Sequence, residues 1–290
     1  MIKQCSFLKM YEFFIEPFGT YPFLRRALVA CIALSMGCAP VGVLLVLRRM
    51  SLMGDALSHS VLPGVALGYL FMGLSLPAMG IGGMFSGLIV ALLASFISRK
   101  TVLKEDASFV GFYLIALALG AILVSTKGKN IDLMHILFGS ILAVDKASLL
   151  LIASITTLSL FVMALIFRPL VLECFDPVFM MSIGGRGSLY HLIFMGLVVL
   201  NMVSAFQALG TLMALGMMML PAITARFWAR EIWSLYLVAI LFAILSGFLG
   251  LVFSYHYGWP SGPAIILTAG ILYLGTVILG PYGSLRCRRT

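Results

Sequence analysis

Nine apolar runs, each close to the length of a bilayer crossing, follow one another along the chain: Leu24–Leu47, Leu52–Met72, Ala78–Ile97, Ala107–Ser125, Leu149–Phe167, Tyr190–Phe206, Leu209–Ala225, Ile232–Ser254 and Pro263–Leu279. A helix needs about 20 apolar residues to cross a hydrocarbon core ~30 Å thick. Inside that core every backbone N–H and C=O must find a partner within the protein, so only helices and closed barrels span it. Barrel strands alternate apolar and polar residues, whereas these runs are apolar on every face. The chain therefore reads as all-α, a polytopic transmembrane helical bundle. The Tyr190–Phe206 and Leu209–Ala225 runs are almost continuous, so eight or nine spanning helices are expected. Composition agrees, since 10% of the 290 residues are charged against roughly 25% in a soluble domain.

The polar stretches set the organisation. Residues 1–23 mix Lys3, Lys9, Glu12 and Glu16 with Phe7, Phe13 and Phe14, and read as an N-terminal interfacial segment rather than a cleaved leader. Residues 24–280 form the transmembrane domain, and 281–290 a basic tail. The longest polar interruption is a loop at about 168–188, with Glu173, Asp176 and the turn Gly184-Gly185-Arg186-Gly187. One set of loops holds Arg48, Arg49, Arg99, Lys100, Lys104, Arg168, Arg186, Arg226, Arg230, Arg286, Arg288 and Arg289. That larger set is expected in the cytoplasm, with the tail. Nine spans then put the N-terminus outside. The net charge of +9 is thereby assigned to topology and lipid headgroups. Without a basic and aromatic stripe, nucleic acid is excluded as a partner. No two of the five cysteines have CxxC spacing, which argues against a zinc knuckle.

Chemistry concentrates in a few places. In Gly54-Asp55-Ala56-Leu57-Ser58-His59, the Asp and His are four apart and share a helix face. A carboxylate and an imidazole so placed can hold a divalent ion such as Zn²⁺ or Mn²⁺, or form a buried pair without metal. Ionisable groups inside a membrane are costly, which makes function their default reading. Pro63 lacks an N–H and should break the helix beside the pair, as in transporter ion sites. Gly64 and Gly68 form a GxxxG face for close helix approach. Asp132 and His135 form a second, weaker metal candidate, read more simply as a solvated pair near a boundary. The stretch with Glu173, Phe175, Asp176 and Pro177 suits either a partner-docking short helix or a plain connection. Gly210, Gly216 and Pro221 suit a bent or interrupted helix, and His191 and His256 read as solvated interface residues. There is no GxxxxGK[ST], HExxH or GxSxG motif, so the chain is read as no enzyme.

At these residues the chain resembles the membrane subunits of bacterial ABC importers for zinc, manganese and iron. The resemblance runs from Leu24 to Leu279. It is carried by Arg48-Arg49-Met50-Ser51 through Asp55, His59 and Pro63-Gly64, by Asp132-Leu133-Met134-His135-Ile136-Leu137-Phe138-Gly139, by Gly210-Thr211-Leu212, by Leu220-Pro221-Ala222-Ile223-Thr224-Ala225-Arg226, and by Pro260-Ser261-Gly262-Pro263-Ala264. It implies a permease in the bacterial plasma (inner) membrane, acting as a homodimer with a separate cytoplasmic ATPase and an extracytoplasmic metal-binding protein. It implies that Asp55 and His59 are the transport-site ligands and that the segment with Phe175, Asp176 and Gly184-Gly185 docks on the ATPase. No cofactor is expected beyond the transported ion, zinc or manganese, with a lean to zinc. The alternatives are a permease for iron or a metal chelate, and a secondary metal transporter without an ATPase.

Overall fold

A computed structural model describes residues 13–51, 53–73, 75–101, 105–127, 141 and 144–282. Among the described residues there are twelve helices and no strand: α1 Glu16–Thr20, α2 Pro22–Leu47, α3 Met53–Ser60, α4 Leu62–Met72, α5 Leu76–Lys100, α6 Glu105–Lys127, α7 Lys146–Phe175, α8 Pro177–Ser182, α9 Gly187–Leu209, α10 Thr211–Ala225, α11 Ile232–Tyr257 and α12 Ser261–Leu279. Seven of them are long and apolar enough to cross a membrane. α3 and α4 adjoin at Val61. With α10, only 15 residues long, every one of the nine apolar runs becomes helix.

α2 is the hub. It packs against α7, α9, α10 and α11, and 72% of its most apolar stretch is buried. α6 and α7 are peripheral and bury only 22% each. Their outward faces carry Leu114, Ile115, Leu150, Phe161 and Leu165, all exposed, as expected of side chains that meet acyl chains. The three tryptophans stand exposed at or beside helix ends, where amphipathic rings anchor a bundle at the headgroups. Asp145 caps α7 by accepting from Ser148 N–H at 2.8 Å, and hydrogen bonding from the Ser148 side chain, with that backbone bond, holds its carboxyl below the usual carboxylate range.

Gly210 separates α9 from α10. Its φ of 84° and ψ of 167° are open to glycine alone at no steric cost, so the nearly continuous double run becomes two helices. Pro221 lies inside α10 without ending it.

The loop expected at about 168–188 is shorter than that. α7 continues to Phe175 with Pro169 inside it. The proline costs one backbone hydrogen bond, but Leu170, fully buried, extends the helix's core face past it. The connection that remains holds only α8 and the turn after it.

Asn201 braces the centre of the bundle. It is 2% exposed, and its Nδ2 donates to Ser159 Oγ at 2.7 Å and to the Leu197 carbonyl at 2.8 Å. Thr156 Oγ1 donates to the Ala33 carbonyl close by. Interhelical hydrogen bonds in membranes are worth about 0.6–1.7 kcal/mol. Asn201→Ala should therefore lower the thermal unfolding midpoint in detergent by a few degrees.

Candidate functional site

Pro63 shapes the site. With no N–H, it leaves the His59 carbonyl without its helical donor, and the helix breaks at Val61. Hydroxyls serve neighbouring carbonyls: Ser86 Oγ donates to Ser60 at 2.7 Å, Ser60 Oγ to Leu57 at 2.8 Å and Ser58 Oγ to Asp55 at 2.7 Å. Beyond the break α4 lies backbone to backbone on α5. A Cβ on Gly64 would penetrate the Gly82 carbonyl, and one on Gly82 the Gly64 carbonyl. At Gly68 it would come within 2.5 Å of the Ala78 carbonyl.

Asp55 occupies the first turn of α3 and His59 its last turn. The opposite face, with Met53, Ala56, Leu57 and Ser60, is buried, and α3 packs on α5, α6, α9 and α10. The pair thus points outward. His59 Nε2 is 3.7 Å from Asp55 Oδ1, with the side chains 34% and 57% exposed respectively. Ligands sit about 2.0–2.2 Å from a transition-metal ion, and hence ~3.0–3.6 Å from each other. A small side-chain rotation lets both hold one ion. The His59 ring lies beside Tyr113 of α6, centroids 6.0 Å apart at an interplanar angle of 29°. Among the described residues no third His, Cys, Asp or Glu joins the pair. A four- to six-coordinate ion would need ligands from water or another chain. The nearby cavity of about 360 Å³ between α4, α5 and α6 is lined by Pro63, Leu67, Phe85, Phe112 and Ile115. Those groups cannot replace water around a cation. Asp132 and His135 lie outside the described residues.

The second candidate region is the end of the bundle at α7, α8 and α9. Asp176 caps α8, its Oδ1 accepting from Phe179 N–H at 2.9 Å. Gly184, at φ 72°, turns the chain back, and Gly185 N–H donates to the Met180 carbonyl at 3.0 Å. Phe175, Val178, Phe179, Met181 and Ile183 stand exposed together, with Met180 buried beneath them. Glu173 is placed apart from this surface. It is 8% exposed, and its carboxylate packs against Gly187.

Two features escaped the sequence. Tyr113 had no marker in an apolar run. His191, expected as a solvated interface residue, is instead 3% exposed inside a cluster of charged groups. Arg48 Nε donates to Cys174 Sγ at 2.8 Å, and Arg48 Nη1 lies 2.6 Å from His191 Nδ1. His191 Nε2 lies 2.6 Å from Glu105 Oε1. The members come from α2, α7, α9 and α6, and only their separation in sequence hid them.

Comparison with known proteins agrees with this architecture. The family described as "ABC 3 transport family" matches residues 20–280. "Manganese import system permease protein ScaB" of Streptococcus parasanguinis is 37% identical over 92% of this chain and 94% of its own. "Chelated iron transport system membrane protein YfeD" of Yersinia pestis is 32% identical over 93% and 89%. The solved structure "PsaBC from Streptococcus pneumoniae in complex with Fab" superposes with a TM-score of 0.82 at 32% identity, covering 96% of this chain and 99% of that one.

Proposed function

Because the chain belongs to the ABC 3 transport family, the permeases of bacterial metal ABC importers, we propose that it forms the passage through which a divalent transition-metal ion enters the cell. It is a multi-pass protein of the bacterial inner membrane. The single observation that carries the proposal is the Asp55–His59 pair, open on one face of a broken helix with its ligand atoms 3.7 Å apart. A metal ion must shed water to cross, and one oxygen and one nitrogen ligand replace part of that shell. The carboxylate offsets charge where the dielectric is low.

Two ligands per chain call for more. In a homodimer with the α3 faces opposed, the two copies would supply two carboxylates and two imidazoles to one ion. That arrangement would also close a passage which a single chain leaves open on one side. A metal-binding protein delivers the ion from outside, and a separate ATPase docks on α8 at the basic end, which we place in the cytoplasm.

Manganese is the first candidate ion, supported by the relative named for manganese at 37% identity. Zinc stays open because Asp and His suit either ion. Iron is the second reading, favoured by the relative named for chelated iron. Vesicles carrying the permease, its ATPase and the loaded binding protein should take up manganese on addition of ATP, faster than zinc or iron. Faster zinc uptake would reverse the order of ions. ATP-independent uptake by the permease alone would replace the importer with a secondary transporter.

The docking surface has its own test. Phe179→Asp puts a charge into the exposed apolar face of α8. Burying that charge against a partner is unfavourable, so co-purification of the ATPase with the permease should fall at least tenfold, with the permease still folded.

A further inference from the structure

The buried cluster joins the α8 end of the bundle to the helix that walls the Asp55–His59 pair. Arg48 is the C-cap of α2. Besides its contacts to Cys174 and His191, its guanidinium lies 4.8 Å over the Phe194 ring of α9. A guanidinium only donates hydrogen bonds. His191 Nδ1, 2.6 Å from Arg48 Nη1, is therefore the bare acceptor nitrogen, and the ring proton sits on Nε2. Nε2 lies 2.6 Å from Glu105 Oε1, a close contact of ring and carboxylate without hydrogen-bond alignment. The imidazole thus stands between a buried cation and a carboxylate. Each ring nitrogen lies 2.6 Å from a charged group.

The positions of these residues give the bridge a direction. Cys174 lies two residues before Asp176, the cap of α8. His191 lies in the opening turns of α9, the helix that follows α8. Glu105 is the first residue of α6. Two turns along α6, Tyr113 lies beside the His59 ring. Both helices that hold α8 thus reach α6 through one set of short polar contacts, and α6 reaches the ligand pair.

On the importer reading above, we propose that His191 is a positioning residue for transport: the Arg48–His191–Glu105 bridge makes α6 and Tyr113 move with α8, so that events at the ATPase reach His59. A bridge that only holds the fold together would change stability and every activity alike. A transmitting bridge, when cut, uncouples ATP hydrolysis from ion movement.

The test is the number of metal ions moved per ATP hydrolysed, measured in the same vesicles with permease, ATPase and manganese-loaded binding protein. In His191→Leu this ratio should fall at least tenfold while hydrolysis stays within twofold of wild type. His191→Gln, whose amide can accept from Arg48 and donate to Glu105, should restore the ratio to within threefold. An unchanged ratio in His191→Leu overturns the proposal, and so does a parallel loss of uptake and hydrolysis. If His191→Leu does not assemble, Glu105→Gln and Arg48→Lys are measured in its place. Each keeps a hydrogen-bonding group and weakens the bridge, and a ratio within twofold of wild type in both is the contrary result. If the wild-type complex itself moves no divalent metal, the importer reading fails. If it does and the variants keep their ratio, only the bridge fails.

Discussion

Gly64→Val is expected to remove the folded permease from the membrane. The Gly64 and Gly82 backbones touch, so a Cβ at either position would overlap the other's carbonyl oxygen. The Cβ of Val would also meet Ser86 Cβ at 2.7 Å. Backbone cannot swing aside as a side chain can, so α4 and α5 would have to part along their length. Overpacking a yielding core costs about 1–3 kcal/mol, and an unyielding backbone contact costs more. Whole domains are stable by only about 5–15 kcal/mol. Separating α4 would also dislodge the Pro63 break and, with it, the ligand pair on α3. Size-exclusion of detergent-solubilised membranes should recover less than a tenth of the wild-type amount of monodisperse protein. Gly270→Ala, a site with nothing within 4 Å of the added Cβ, should recover within twofold. Comparable recovery of the two variants would contradict the packing described for α4.

Asp55→Asn should do the reverse, leaving the protein folded and stopping the ion. The Asp55 side chain is 57% exposed, and His59 Nε2 is 3.7 Å away. The isosteric amide removes no buried contact, so folding and assembly with the ATPase should be unchanged. What disappears is the negative charge that compensates a divalent cation outside water, where a charge interaction is several times stronger than in bulk solvent. A loss of about 2.7 kcal/mol at the point of passage corresponds to a hundredfold drop in uptake. ATP-driven manganese uptake in vesicles should fall by at least that factor. Uptake within threefold of wild type would exclude Asp55 as a ligand.

Much of the architecture was legible before any coordinates. The length and uniform apolarity of the runs located all nine helical stretches, because lipid leaves the backbone no other solution. Pro63 announced its break for a chemical reason that holds in any context. Gly64 and Gly68 marked a close approach, although not that Gly82 and Ala78 would receive it. The polar residues after Phe167 suggested a longer loop than the structure has, because the buried Leu170 keeps α7 helical to Phe175. The charged cluster stayed hidden for a different reason. Arg48 reads as a topology signal, and its partners Cys174 and His191 lie 126 and 143 residues away. Periodicity shows that Asp55 and His59 share a face. The packing of α3 on α5, α6, α9 and α10 leaves that face exposed.

Whether Asp55 and His59 hold the travelling ion is tested most directly by the magnetic resonance of bound Mn²⁺. Electron-spin-echo spectra of the detergent-solubilised complex, loaded with manganese through its binding protein and trapped with a non-hydrolysable nucleotide, should carry the modulation of a directly bonded imidazole nitrogen from the permease. The signal should vanish in His59→Gln. An undiminished nitrogen coupling in that variant would place the metal elsewhere.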